Sequence, residues 1–170
     1  MIQISTGCEM FKQMDHVAMS VKNLEKVVAF YQDVIGMKKV YDCEYEQPMA
    51  RLLGIPRAHV RIVHMKLGGF FLELFYYRYP EGREPPADKR QSDLGLTHIG
   101  FMVEDFWGTC RYLKNHGVTF IGEPVEFRPG VFVAYFHGAE HEVCEIREIN
   151  SVEEKRNFPD RSGQEKEGAA

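Results

Sequence analysis

Asp15-His16-Val17-Ala18-Met19-Ser20-Val21 reads as a short strand, and Leu24, Val27, Val28, Phe30, Tyr31, Val34 and Ile35 follow it at helical spacing. Asn23 is placed to cap that helix, although Lys26 stands where a capping box would have Glu, and Gly36 marks the helix end. Residues 37–46 read as a strand in which Tyr41, Cys43 and Tyr45 alternate with Asp42 and Glu44, and residues 47–58 as a loop with room for a helical turn. Two more strands, 59–67 and 70–77, meet at Gly68-Gly69, a pair suited to a hairpin turn. The order is β-α-β-β-β.

That order recurs. Residues 80–93 contain Pro80, Gly82, Pro85, Pro86 and seven charged residues, the composition of a connector without a core of its own. After it come a strand at 96–103, an amphipathic helix at 104–115 stopped by Gly117, and strand candidates at 118–127, 131–137 and 143–149. An offset of 82 superposes His16 on His98 and Val21 on Val103. The expected fold is therefore α+β, two paired βαβββ modules whose curved mixed sheets enclose a cavity. The expected division is an N-terminal extension at 1–13, a first module at 14–80, a linker at 81–94, a second module at 95–149 and a charged tail at 150–170. The tail has only Val152 and Phe158 as sizeable apolar residues and is expected to be disordered.

Composition narrows the function classes. The chain has 170 residues, 44% hydrophobic and 27% charged, with a formal charge of -4 and a pI near 6.0, as expected for a soluble globular protein with no electrostatic footprint for nucleic acid or anionic membrane. No apolar run approaches the ~20 residues of a spanning helix. The N-terminal stretch lacks a basic leader and carries Glu9, so a cytoplasmic protein is expected. Cys8, Cys43, Cys110 and Cys144 form no CxxC pair and read as reduced thiols.

Within the repeat, a His in the first strand and a Glu in the last strand recur together: His16 and Glu73, then His98 and Glu145. Each Glu stands among apolar residues, in Phe71-Leu72-Glu73-Leu74-Phe75 and Val143-Cys144-Glu145-Ile146. A carboxylate in such company is rare unless paired or bound to a cation. Taken singly, a strand His is more often a hydrogen-bonded rim residue and a strand Glu more often solvated. The matched recurrence favours one metal site made of two imidazoles and two carboxylates, a set suited to Ni, Co, Zn, Mn or Fe. His59, His64, His116, His137 and His141 lack that paired context and read as supporting or surface residues.

These same stretches, with Phe30-Tyr31-Gln32-Asp33-Val34-Ile35-Gly36-Met37 and Thr97-His98-Ile99-Gly100-Phe101, closely resemble the vicinal oxygen chelate superfamily over roughly residues 14–149. That group includes glyoxalase I, methylmalonyl-CoA epimerase, extradiol dioxygenases and fosfomycin or bleomycin resistance proteins. The resemblance puts His16, Glu73, His98 and Glu145 in the four metal positions and is closest in ligand pattern to glyoxalase I and methylmalonyl-CoA epimerase. It implies a metal-dependent lyase, isomerase or epimerase that chelates vicinal oxygens of a small carbonyl or thioester substrate and stabilises an enolate, with Glu145 or Glu73 moving the proton, Glu145 preferred. It also implies a homodimer. The alternatives are an Fe(II)-dependent extradiol dioxygenase, in which the Glu73 position is normally not a ligand, and a non-catalytic sequestering protein of the resistance type. Where family members often carry an Asp-Pro-x-Gly turn before the last strand, this chain has Phe136-His137-Gly138-Ala139-Glu140-His141.

Strand alternation places Phe71, Phe75 and Tyr77 on the Glu73 face, Gly100 and Met102 with His98, and Val143 and Arg147 with Glu145. Arg51, Arg57 and Arg61 are candidates for an anionic substrate group, although a solvated loop is the favoured reading.

Overall fold

The computed structural model describes residues 12–86 and 88–150, so all but Asn150 of the expected tail and nearly all of the expected N-terminal extension lie outside the described residues. The chain forms two four-stranded mixed sheets. The first contains β1 (His16–Val21), β2 (Lys38–Tyr45), β3 (His59–Leu67) and β4 (Phe70–Tyr79), in the order β1-β4-β3-β2. The second contains β5 (Ile99–Met102), β6 (Val125–Arg128), β7 (Val131–His137) and β8 (Val143–Ile149), in the order β5-β8-β7-β6. In each sheet the first strand runs parallel to the last, and the other pairs are antiparallel. Ala18 is in register with Glu73 and Gly100 with Glu145, so the internal repeat holds at single-residue level.

Helix α1 (Leu24–Ala29) starts as expected, with the Asn23 side chain accepting from the Lys26 amide at 3.1 Å. Its continuation, Phe30–Val34, is π-helical: the Ile35 amide reaches the Phe30 carbonyl, and Gly36 at φ +85 lets the chain turn away. The loop expected over 47–58 contains a two-turn helix, α2 (Gln47–Leu53), with Pro48 in its first turn and Gly54 in the left-handed region at its end. Helix α3 (Phe106–Asn115) is capped by Asp105, which accepts from the Gly108 amide.

Two expected strands are shorter than their apolar patterns suggest. The strand expected over 96–103 is reduced to β5, and His98 stands immediately before it. The strand expected over 118–127 is reduced to β6, with Phe120 making one isolated bridge to Phe136; Gly122 and Pro124 interrupt the ladder between them, Pro124 having no N–H to give.

The modules join through their helix-bearing faces. Leu24, Val27 and Tyr31 pack on Val63, Met65, Leu72 and Leu74, and Ile99, Phe101 and Ala139 of the second module close the same cluster. Phe30, Val34 and Ile35 pack in turn on the second core around Phe106, Leu113, Phe136 and Ile146. Each fully buried aliphatic side chain here contributes roughly 1.5–3 kcal/mol. Polar contacts fasten the seam: the Glu140 carboxylate accepts from the Lys22 and Asn23 amides, and the Tyr31 hydroxyl donates to Glu142 at 2.8 Å. Residues alternating with these core positions, Glu73 and Glu145 among them, face away from the shared core.

Candidate metal centre

In the first module, Glu73 on β4 lies between two imidazoles. His16 Nε2 is 3.2 Å from Oε2, and His64 Nε2 is 2.7 Å from Oε1. The Glu73 side chain is 14% exposed, so its charge depends on these partners rather than on bulk water. His16 opens β1, and its Nδ1 meets Asp15 Oδ2 at 2.8 Å. That hydrogen bond chiefly raises the His16 pKa above the ordinary value; burial opposes it, and the Glu73 charge adds to it. His64 sits directly opposite Glu73 across the β3–β4 hairpin. Its ring lies against Tyr41 at 4.7 Å, and Phe71 approaches edge-on. Asp15, His16, His64, Phe71 and Glu73 line a cavity of about 200 Å³.

The second module repeats the arrangement with different neighbours. His98 Nε2 is 3.3 Å from Glu145 Oε2, and Nδ1 is 2.9 Å from Thr97 Oγ1. Glu145 is the one buried charged residue among the described residues, at 9% exposure. Tyr135 faces it across β7–β8, and its hydroxyl hydrogen bonds to the carboxylate. That bond, with burial and the Glu145 charge, raises the Tyr135 pKa, so the phenol stays protonated and donates. Gly100 stands beside Glu145, and a Cβ there would lie 3.9 Å from Oε1.

Each His is thus brought to its own Glu. The two pairs are not brought to each other: among the described residues no three His, Cys, Asp or Glu side chains form a group able to hold a metal ion. Glu73 and Glu145 belong to two separate sheets, each on the face opposite its helix-bearing core. The single enclosed cavity expected from the sequence therefore does not form within one chain.

Other expected residues fall elsewhere. Phe75 and Tyr77 share the Glu73 face and pack with Tyr45 on Met49, Val60 and Ile62, a small core beneath α2, while Phe71 lines the cavity. Arg61 is bound to Asp42 and Glu25, and Arg57 to the Tyr79 hydroxyl, so both are engaged within the fold. A larger depression of about 570 Å³ includes Lys22, Lys26, Arg61 and Arg78 in its wall; Lys22, Arg61 and Arg78 are paired with carboxylates, and neither Glu73 nor Glu145 lines it. His137 is one rung from Tyr135 on the same face, with its ring edge-on to His141. Tyr135 was missed by sequence reasoning, and His64 was named there only as one of five supporting or surface histidines. A two-residue turn at Gly68-Gly69 pairs Leu67 with Phe70 and, counting back, His64 with Glu73, so the His64 pairing was available from the hairpin.

A family model described as the Glyoxalase/Bleomycin resistance protein/Dioxygenase superfamily matches residues 13–140. A 2-epi-5-epi-valiolone epimerase from Actinomyces sp is 33% identical over 121 residues, 68% of this chain and 65% of that protein. A lactoylglutathione lyase from Schizosaccharomyces pombe is 30% identical over 115 residues, 64% of this chain and 38% of that protein. The chain therefore spans less than two thirds of the length of either relative. A glyoxalase family protein from Bacillus cereus superposes with a TM-score of 0.74 at 24% identity, covering 81% of this chain and 94% of that one. A fosfomycin resistance protein from Listeria monocytogenes, crystallised with Mn(II) and sulfate, shares the fold at a TM-score of 0.58 and 17% identity, over 86% of this chain and 99% of that one. With two βαβββ modules in matching register and a family match across most of its length, the chain belongs to the glyoxalase/bleomycin resistance/dioxygenase superfamily.

Proposed function

We propose that this protein is a metal-dependent lyase, isomerase or epimerase of the glyoxalase type, acting on a small carbonyl or thioester substrate through an enolate. One observation carries the reading: in both modules a largely buried carboxylate is met by an imidazole Nε2, while the preceding residue, Asp15 or Thr97, holds that ring by Nδ1. Holding Nδ1 orients the ring and leaves Nε2 as the donor atom. His16, Glu73, His98 and Glu145 fit a divalent transition ion of the Ni, Co, Zn, Mn or Fe group.

When bound, such an ion supplies Lewis acidity toward adjacent substrate oxygens and so acidifies the neighbouring C–H. The protein's own residues do the rest. Glu145 takes the proton and returns it, and the Tyr135 hydroxyl holds the carboxylate in place between the two transfers. Glu73 and His16 keep their place, and Phe71 limits water at the cavity. Because His16 lies on edge strand β1 and His98 precedes edge strand β5, a second copy of the chain brings His98 and Glu145 beside the first copy's His16 and Glu73.

Metal analysis of the purified protein tests this reading, with the expectation of about one transition ion per complete four-ligand site. A double variant His16→Ala/Glu73→Ala and a double variant His98→Ala/Glu145→Ala each lose the ion, and mixed dimers of the two regain part of it. Metal-free parent protein with full turnover would overturn the reading. Iron retained in Glu73→Ala, with oxygen uptake on a catechol, would move it to a dioxygenase.

A further inference from the structure

We infer that His64 is a positioning residue that holds Glu73 as the fixed carboxylate of the two half-sites. The inference rests on the proposed reading of Glu73 as a metal ligand and adds a residue to it. His64 Nε2 stands 2.7 Å from Oε1, while His16 Nε2 stands 3.2 Å from Oε2, so each oxygen of Glu73 has its own imidazole. A carboxylate held at one oxygen presents the other in one orientation, as partners outside a coordination shell do for the ligands they touch.

His64 is itself secured. Tyr41, His64 and Glu73 lie side by side across β2, β3 and β4, each directly opposite the next. The Tyr41 ring lies against the imidazole at 4.7 Å, and its hydroxyl hydrogen bonds to that of Tyr45. Phe71 meets the other side of the ring edge-on. The second module lacks this clamp. Its carboxylate faces a phenol, Tyr135, in the place of His64, and a glycine, Gly100, in the place of Ala18, so Glu145 meets a hydroxyl where Glu73 meets a second imidazole. The same backbone register thus carries one carboxylate held by two imidazoles and one held by an imidazole and a phenol.

The test is cobalt(II) titration of the metal-free protein in competition with a chelator, reading affinity and the visible ligand-field spectrum together. His64→Phe is expected to weaken binding about 10- to 100-fold and to alter the spectrum. His64→Gln, which keeps an N–H donor of similar reach, is expected to recover most of both. Thermal unfolding of the metal-free variants separates this from loss of fold, and all three proteins are expected to melt as single transitions. Parent-like affinity and spectrum in His64→Phe would overturn the inference, as would a His64→Gln variant no better than His64→Phe. A parent that binds no cobalt would instead defeat the ligand assignment itself, and the positioning role with it.

Discussion

The two modules share a backbone plan and differ in what surrounds the same pair of side chains. In the first, Asp15 and His64 pair with His16 and Glu73, Ala18 lies in register with Glu73, and α2 roofs an apolar cluster on the same sheet face. In the second, Thr97, Tyr135 and Gly100 occupy the matching places, and the β6–β7 connection is a short turn with no helix over it. Both arrangements keep a carboxylate out of bulk water by giving it hydrogen-bond donors, but the first uses two nitrogens and the second a nitrogen and a phenol. Equivalent register therefore does not mean equivalent surroundings.

The largest expected effect concerns whether the modules are one folding unit. Phe30, Ile35 and Phe101 touch both cores, so Leu74→Ala and Ile146→Ala should each lower stability by about 2–5 kcal/mol within one cooperative urea transition. Two separate transitions in either variant would break the comparison by making the modules independent. A smaller effect is expected from Gly100→Ala, which gives the second half-site the methyl group that Ala18 supplies to the first. Its Cβ would make only an ordinary contact, 3.9 Å from Glu145 Oε1, so the melting temperature should hold. Metal affinity should stay within about 3-fold while kcat falls by about 10-fold with KM little changed. An unchanged kcat would show that the two half-sites can exchange the methyl group at this position without consequence.

The smallest effect lies at the edge of the first module. The Arg61 guanidinium, with Lys39 beside it, holds the Asp42 carboxyl well below the usual carboxylate range, against the opposing cost of burial. A depressed folded-state pKa gives stability that is complete above the unfolded value near 4 and is lost as the pH falls below it. Asp42→Asn should therefore be less stable than the parent at neutral pH and should lose less on acidification below about pH 4, as followed by denaturation midpoints. Parallel pH profiles for parent and variant would show that the Arg61 pair contributes nothing specific to the first module.

Much of the fold was legible because it is written in local pattern. The Asn23 cap, the Gly36 stop and the Gly68-Gly69 turn act on neighbouring residues, and each appears where the chain order placed it. Strand lengths were less legible. Apolar patterning over 118–127 suggested a full strand, but pairing needs a partner at every rung, and Pro124 and Gly122 break the ladder before β6. The His–Glu pairs were readable because two anomalies recurred at one offset. His64 was not singled out among five supporting or surface histidines, since its importance comes from a neighbour across the hairpin rather than beside it in sequence.

Residue order alone, through capping, turn chemistry and alternation, determined the doubled βαβββ plan and put a His and a Glu on one face of each sheet. How those faces lie depended on long-range packing. The helices of both modules bury their apolar sides in two adjoining cores bridged by Phe30, Ile35 and Phe101, which leaves Glu73 and Glu145 on the opposite face of each sheet, and cross-strand register then selects His64 for one carboxylate and Tyr135 for the other. Such choices are made by contacts between residues far apart in the chain, where burial of apolar surface outweighs any local preference.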